Sequence, residues 1–90
     1  MNAIRLNLGS GRAPIEGWVN IDNRPGPGVD LMADLDKERP LSRLADGSVD
    51  EVRAHSILEH LWHWERLVLD CARVLKSGGK LDIRVPHGHS

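Results

Sequence analysis

The fold is decided by the stretch Ile4-Arg5-Leu6-Asn7-Leu8-Gly9-Ser10-Gly11, near the start of the chain. Its aliphatic side chains alternate with polar ones, which is the two-residue period of a half-buried strand. The strand runs directly into Gly-Ser-Gly, and glycine both turns tightly and lets a ligand lie against the main chain. We therefore predict a strand whose carboxyl end forms a cradle for a ligand.

For this stretch alone, a plain strand and turn in which the glycines serve only the backbone geometry remains an alternative. A nicotinamide dinucleotide site is not favoured. Pro14 occupies the position of its third glycine, and Asp22 follows Gly11 too closely, against a usual separation of about 20 residues. A phosphate-binding lysine loop is not predicted either, because no Gly-Lys-Ser or Gly-Lys-Thr follows the glycines.

Length and composition limit the possible functions. The chain has 90 residues, which predicts a single small domain spanning 1–90. Its net charge is −1, with 12 basic and 13 acidic side chains intermixed, so we predict neither a nucleic-acid-binding patch nor an acidic tail. No apolar run reaches the ~18–20 residues of a membrane span, and the N-terminus does not resemble a secretion signal. The single cysteine, Cys71, suits a reducing compartment, so we expect a soluble cytoplasmic protein.

The hydrophobic pattern beyond the first strand predicts four more strands and one long helix. The helix is indicated by an apolar stripe with helical spacing from Trp64 to Leu75, followed by Lys76-Ser77-Gly78-Gly79, a composition typical of a helix C-terminus. We therefore predict an α/β fold with a mostly parallel five-stranded sheet and one main helix. The predicted strands span 4–8, 18–22, 29–33, 49–54 and 81–85, and the predicted helix spans 62–76.

The predicted strands alternate aliphatic and polar side chains, although parallel strands covered on both faces usually read as continuous apolar runs. We therefore expect one apolar face that the helix covers. The other face should be charged, and either in contact with water or covered by loops or another subunit. The polar positions that define it are Arg5, Asn7, Asn20, Glu51, Arg53, Asp82 and Arg84.

Several short segments, taken in order, resemble the S-adenosylmethionine-dependent methyltransferases of the Rossmann-like class. The resemblance is closest to a bacterial group in which a short connection joins the glycine loop to the second strand. It covers residues 4–87 and implies a truncated Rossmann-like methyltransferase fold that ends after the fifth strand. The segments are 6–11 (LNLGSG), 17–22 (GWVNID), 34–35 (DL), 48–52 (SVDEV), 55–60 (HSILEH), 73–81 (RVLKSGGKL) and 85–87 (VPH).

The resemblance implies S-adenosylmethionine as the cofactor and assigns binding roles to individual residues. Asp22 is expected to accept hydrogen bonds from the ribose hydroxyls, for which a carboxylate is well suited. Asp34 is expected to accept one from the adenine amino group, with the Leu35 amide nearby. Gly9 and Gly11 are expected to let the main chain approach the methionyl and ribose portions. The alternative for both aspartates is turn capping, which is common for this residue type.

Further cofactor contacts are expected from Asn7, Ser10 and His55. Asn7 stands where many relatives carry an acid, so it keeps a hydrogen-bond acceptor but loses the charge. Ser10 belongs to the glycine turn, and His55 follows the fourth predicted strand. A third loop glycine is replaced by Ala13. Trp18 lies on the cofactor side, although a packing role is favoured for it.

Histidines supply the candidate bases, because imidazole titrates near neutral pH. His55 and His60 are the candidate catalytic residues, and His87 is a further candidate base. Methyl transfer to oxygen or nitrogen needs an in-line approach and often a base that takes the proton. Each histidine is equally compatible with a polar position that has no catalytic role. His60 and His63, with Glu59, are only a weak match to a metal site, so no metal is predicted.

The predicted function is methyl transfer from S-adenosylmethionine to a small-molecule or saccharide-type acceptor. The Asn/Asp-Pro-Pro-Tyr/Phe signature of DNA amino-group methylation is absent after the fourth strand, where His55-Ser56 stands, which argues against DNA as the substrate. Neither a nucleic-acid nor a membrane partner is predicted. The alternative is a non-catalytic cofactor-binding module that acts with a partner chain. Relatives continue beyond the fifth strand, so we expect a fragment or a minimal protein whose free fifth-strand edge pairs in a homodimer or higher assembly.

Overall fold

Five strands form one parallel sheet in the order β3-β2-β1-β4-β5. The computed structural model describes residues 3–10 and 13–85. This order is that of the first five strands of a doubly wound Rossmann-type sheet, so the predicted α/β fold is confirmed. The elements are β1 (Arg5–Leu8), β2 (Val19–Asp22), β3 (Leu31–Met32), β4 (Val49–His55), a turn of 3₁₀ helix (Leu58–His60), α1 (Trp64–Val74) and β5 (Leu75–Arg84).

The centre of the sheet is β1, and its aliphatic side chains begin the hydrophobic core. Leu6 lies opposite Val19 of β2 and Val52 of β4, and Leu8 lies opposite Ile21, so these side chains share one face of the sheet. Side chains of α1 complete the core, which confirms the predicted apolar face. The buried cluster consists of Leu6, Leu8, Ile21, Leu35, Leu41, Val49, Val52, Ala54, Leu67, Cys71 and Val74.

The opposite face of the sheet carries charged side chains from β1, β4 and β5. Glu51 of β4 has Arg5 of β1 on one side and Lys80 of β5 on the other. Its carboxylate oxygens lie 3.6 Å from Arg5 Nε and 3.8 Å from Lys80 Nζ. On the same face, His55 Nε2 lies 3.0 Å from Asp82 Oδ2. The charged second face expected from the alternating strands is therefore confirmed.

The helix α1 is shorter than the predicted span 62–76. Before it begins, His63 has a non-helical backbone with φ −123° and ψ 52°, and the N–H groups of Trp62 and His63 donate to the Asp36 carboxylate. Where it ends, Leu75 adopts extended backbone and becomes the first residue of β5. The glycines that predicted a helix C-terminus lie in an irregular part of β5, where Gly78 has a φ of +81°. The first four predicted strands are present with their ends moved by one or two residues.

A buried ion pair fastens the irregular segment between β3 and β4 to α1. The Asp70 side chain is 6% exposed and accepts N–H groups from Leu41 at 2.6 Å and Arg73 at 2.7 Å. Arg73 also donates to the carbonyl oxygens of Leu41 and Leu44 and to the carboxylate of Asp46. Burial opposes ionisation of Asp70, but the hydrogen bonds from Arg73 and Leu41 outweigh it and hold the pKa of Asp70 below its ordinary value of 3.8.

Two further features bear on the sequence analysis. Cys71 is a free, buried thiol, and burial raises its pKa to about 12, so it stays protonated at neutral pH and is a poor nucleophile. Within residues 3–10 and 13–85, no helix is both long enough and apolar enough to cross a membrane. Neither feature contributes to the site described below.

The Asp70–Arg73 ion pair leads to a prediction about the free energy of unfolding. We expect Asp70→Asn to lower the free energy of unfolding at pH 7 by about 2 kcal/mol, because Arg73 loses a buried counter-charge. A carboxylate whose pKa is lowered by folding stabilises the fold above its unfolded-state pKa, and this stabilisation is lost as the pH falls through the folded-state pKa. The two proteins should therefore converge in stability as the pH falls below 3.8.

Urea unfolding at a series of pH values measures this difference. The matched control is Asp46→Asn, because Asp46 bonds the same arginine but its side chain is 80% exposed. We expect its effect to stay below about 1 kcal/mol, as for other exposed ion pairs. Equal stability of the native protein and Asp70→Asn at pH 7 contradicts the stabilising role of the Asp70–Arg73 ion pair.

Candidate functional site

The carboxyl ends of the first three strands are tied together by backbone hydrogen bonds. The N–H groups of Gly9 and Ser10 both donate to the carbonyl oxygen of Ile21, at 2.8 and 3.1 Å. The N–H of Ala33 donates to the carbonyl oxygen of Asp22 at 2.9 Å. In a parallel sheet these ends share one edge, and ligands bind outside it where the strand order reverses. The strand-end residues singled out in the sequence therefore meet at the edge where a ligand is expected.

A cleft of about 770 Å³ opens at this edge. Of the predicted cofactor-binding residues, it brings together Asp22, Asp34 and Leu35. Gly9, Ser10, Asn7 and His55 are not part of its lining, and Gly11 lies outside the described residues. The lining comes from three segments, namely 22–27 with Val29 after β2, 34–36 after β3, and Ile57 with 60–62 after β4.

Both aspartates of the cleft also cap turns. Asp22 Oδ1 accepts the N–H of Arg24 at 3.2 Å, and Asp34 Oδ1 accepts the N–H of Asp36 at 3.0 Å. The capping alternative considered from the sequence is thus present in the structure. It does not exclude ligand binding, because a carboxylate has about four acceptor positions and each backbone N–H occupies one of them. Capping instead fixes each carboxylate relative to its strand end.

Gly9 is needed for a close contact between two loops. Its φ is +67°, a conformation that side chains rarely adopt, and a Cβ at this position would lie 2.7 Å from Ile57 Cδ1. Ile57 itself lines the cleft. The glycine turn therefore lets the segment after β4 pack against the end of β1. At Gly9 the structure thus shows the close approach of another loop, and the approach of a ligand to the main chain there stays a prediction.

The Ser10 hydroxyl is a buried polar group in need of a partner. The residue is 4% exposed, and its Oγ has no hydrogen-bond partner within residues 3–10 and 13–85. An unsatisfied buried hydroxyl costs about 1–3 kcal/mol, so native proteins rarely leave one without a partner. Within the described residues of the glycine turn, Ser10 therefore has a polar group that still needs a partner.

Asn7 holds the connection between β1 and β2. It is 5% exposed, and its Nδ2 donates to Asn20 Oδ1 at 2.9 Å and to the carbonyl oxygen of Ala13 at 3.2 Å. The Asn20 side chain also bonds the backbone of Ile15 and the carboxylate of Asp30. The structure therefore gives Asn7 a structural partner on the charged face of the sheet, and its predicted cofactor contact stays a prediction.

His55 is held by a carboxylate away from the cleft. Its Nε2 lies 3.0 Å from Asp82 Oδ2, across β4 and β5. This hydrogen bond is the main cause that holds the pKa of Asp82 below its ordinary value of 3.8, and the nearby charge of Arg84 adds to it. His55 is therefore oriented by an ionised partner, but it is not part of the cleft wall.

His60 is the predicted catalytic histidine that lines the cleft. Its side chain is 72% exposed, and its Nε2 lies 3.7 Å from a carboxylate oxygen of Glu59. The third candidate base, His87, lies outside the described residues. No cluster of three or more His, Cys, Asp or Glu side chains able to hold a metal ion occurs in the part of the chain that the structure describes.

Trp18 is half-buried and does not line the cleft; the Arg5 guanidinium carbon lies 6.0 Å from the centre of its ring. Trp62 lines the cleft with an indole that is 87% exposed. The sequence analysis also missed Asp36, which lines the cleft and accepts two backbone N–H groups from the segment before α1. An acid directly after the Asp34-Leu35 pair was visible in the sequence, but its partners lie 26 and 27 residues away.

Comparison with known proteins identifies similar methyltransferases. Two proteins of Mycobacterium tuberculosis, from strains CDC 1551 and H37Rv, are each named "Probable S-adenosylmethionine-dependent methyltransferase" and are 41% identical to this chain over 61 residues. A protein of Mycolicibacterium smegmatis whose name begins with the same words is 38% identical over 61 residues. The alignments cover 68% of this chain, but the chain spans only 21% of the length of the first two relatives and 23% of the third. No solved structure matches the chain significantly.

A family model described as "Methyltransferase domain" matches residues 20–83, which is more than half of the chain. The matched region contains Asp22, Asp34 and Leu35 of the cleft and the two candidate histidines, His55 and His60. The glycine turn after β1 lies outside it. The chain therefore belongs to the methyltransferase domain family, as its resemblance to S-adenosylmethionine-dependent methyltransferases predicted.

Proposed function

We propose that the chain forms the S-adenosylmethionine-binding core of a methyltransferase that acts on a small-molecule or saccharide-type acceptor. The observation that carries the proposal is the placement of Asp22 and Asp34, from neighbouring strand ends, in the wall of one cleft of about 770 Å³. Membership of the methyltransferase domain family supports the reaction. The names of the similar mycobacterial proteins support the cofactor.

The residues of the cleft fit this cofactor. Carboxylates accept hydrogen bonds, which suits Asp22 to the two ribose hydroxyls and Asp34 to the adenine amino group. The cleft lining contains the carboxylates of Asp22, Asp34 and Asp36 but only one guanidinium, that of Arg24. A ligand that carries positive charge is favoured by such a surface. Ser10, whose buried hydroxyl has no partner in the described residues, follows β1 at the same edge of the sheet but is not part of the cleft lining.

The chain's residues can bind and orient the reactants and accept a proton. S-adenosylmethionine, when bound, supplies a methyl group attached to a positively charged sulfur. His60, in the cleft wall, is placed to take the proton that an acceptor hydroxyl or amine loses, a contribution of about 10²–10⁴ in rate. The exposed Trp62 indole offers a flat apolar surface on which an acceptor ring can pack. We propose a cytoplasmic location as well, since Cys71 is a free thiol.

The second candidate is a cofactor-binding module that performs no chemistry alone. The observation that favours it is the loose setting of His60, which is 72% exposed and whose one ionic contact in the described residues, to Glu59, is 3.7 Å long. An effective base is normally held by its neighbours. In this function a partner chain supplies the base and the acceptor site.

Cofactor binding is tested by calorimetry. We expect S-adenosylmethionine and its demethylated product to bind with micromolar Kd. Asp22→Ala should weaken both at least about tenfold, because it removes a charged acceptor from the ribose hydroxyls. Asp34→Ala should also weaken the binding of adenosine, because the Asp34 carboxylate is expected to accept a hydrogen bond from the adenine amino group. Assay of methyl release with a panel of acceptors then separates an enzyme from a binding module.

The control for these variants is Asp46→Ala, which removes a carboxylate that is not part of the cleft lining. It should bind both ligands like the native chain. The proposal is wrong if neither ligand binds the native chain at concentrations of several hundred micromolar, or if Asp22→Ala binds them unchanged.

The glycine turn supplies an independent test. We expect Gly9→Ala and Gly17→Ala each to lose about 1–2 kcal/mol of unfolding free energy, because both positions have a positive φ. Only at Gly9 would the new Cβ meet another residue, namely Ile57. Gly9→Ala should therefore also weaken cofactor binding by displacing the cleft wall, whereas Gly17→Ala should not. Equal ligand affinities of the two variants contradict this role of Gly9.

We also propose that the chain associates with a second copy through the outer edge of β5. This strand ends the sheet of the described residues, so its outer backbone groups pair with no other strand there. We expect a dimer or larger assembly in sedimentation equilibrium at micromolar concentration. A strictly monomeric species under these conditions contradicts the proposal.

A further inference from the structure

Asp36 connects two segments that are distant in the sequence. Its Oδ1 accepts the N–H of His63 at 2.7 Å, and its Oδ2 accepts the N–H of Trp62 at 3.1 Å. Both carboxylate oxygens are therefore engaged with backbone donors directly before α1. Donors at the start of a helix lack partners within the helix, and a negative charge there is favourable.

The two segments joined by Asp36 both line the cleft. Asp34, Leu35 and Asp36 form the wall after β3, while Ile57 and residues 60–62 form the wall after β4. Between residues 34–36 and residues 57–63, all of which the structure describes, the hydrogen bonds to Asp36 are the only ones that cross. Apolar packing also joins the two walls, because Leu35 belongs to the core cluster against which Ile57 and Leu61 pack, and Asp36 supplies the polar connection between them.

Contacts that do not involve Asp36 hold α1 in the fold. Leu67, Cys71 and Val74 bury one side of α1 in the core, and the Asp70–Arg73 pair fastens it to the segment between β3 and β4. Asp36, by contrast, is only half-buried. Loss of its carboxylate is therefore expected to release the segment before α1 without unfolding the domain.

We propose that Asp36 is a positioning residue that sets the width of the cleft for an adenosine-bearing ligand. Its carboxylate holds the loop that carries Asp34 and Leu35 at a fixed distance from the segment that carries His60 and Trp62. This inference rests on the proposed cofactor site and adds a residue to it. Asp36 acts through the walls that it joins, since both of its oxygens already accept protein N–H groups.

The test compares Asp36→Ala and Asp36→Asn with the native chain by calorimetry with S-adenosylhomocysteine, and by hydrogen exchange of the Trp62 and His63 amides without ligand. We expect Asp36→Ala to weaken binding about tenfold, the size of one lost charge-assisted hydrogen bond. Asp36→Asn should be intermediate, because it keeps one acceptor oxygen. Both amides should exchange faster in Asp36→Ala, while its urea midpoint should change little.

The matched control is Asp50→Ala. Asp50 also accepts a backbone N–H, that of Ile4 at 2.8 Å, but it does not line the cleft. This variant should bind the ligand like the native chain, so it separates loss of any carboxylate–backbone bond from loss of the one at the cleft.

The possible outcomes separate this inference from the proposed function. If the native chain binds and Asp36→Ala binds equally well, the positioning role is wrong and the cofactor site stands. If the native chain does not bind, the cofactor site and the role of Asp36 in it are both wrong. Unchanged exchange of the Trp62 and His63 amides in Asp36→Ala overturns the connection between the walls, whether or not ligand binds.

Discussion

The central position of β1, paired in parallel with β2 and with β4, is the constraint on which the rest of the structure depends. Leu6 and Leu8 can be buried only if both neighbouring strands present aliphatic side chains to the same face. Parallel pairing also brings the carboxyl ends of all the strands to one edge. The core and the cleft are thus two consequences of one arrangement, and a change of register by one residue would destroy both.

The charged face of the sheet explains how a short connection can join β1 to β2. Within residues 13–18, the described part of that connection contains no helix that could cover the sheet. Side-chain hydrogen bonds hold the connection against the sheet instead. Asn7 and Asn20 lie side by side under the connection, and Asn20 bonds Ile15 on one side and Asp30 on the other. Buried amide groups are tolerated on this face because they find partners.

Aspartates have three physical roles in this small domain. Asp70 is buried and forms an ion pair that fastens an irregular segment to α1. Asp36 bonds backbone N–H groups and joins the two walls of the cleft. Asp22 and Asp34 cap turns at the strand ends and line the cleft. The side chain is the same in each case, and its surroundings decide whether it fastens a helix, joins two loops or caps a turn at the cleft.

The sequence by itself determined the elements, the two faces of the sheet, the family, and two of the carboxylates that meet in the cleft. These features depend on local periodicity and on motifs read in order, which need no knowledge of distant contacts. Only the tertiary structure decided which partner each polar side chain finds. Asn7 bonds Asn20, 13 residues away, and His55 bonds Asp82, 27 residues away. Neither residue lines the cleft, and the cofactor contact predicted for each stays a prediction. Asp36 could not be singled out, because its partners are backbone groups that carry no sequence signal and are brought near only by the packing of α1.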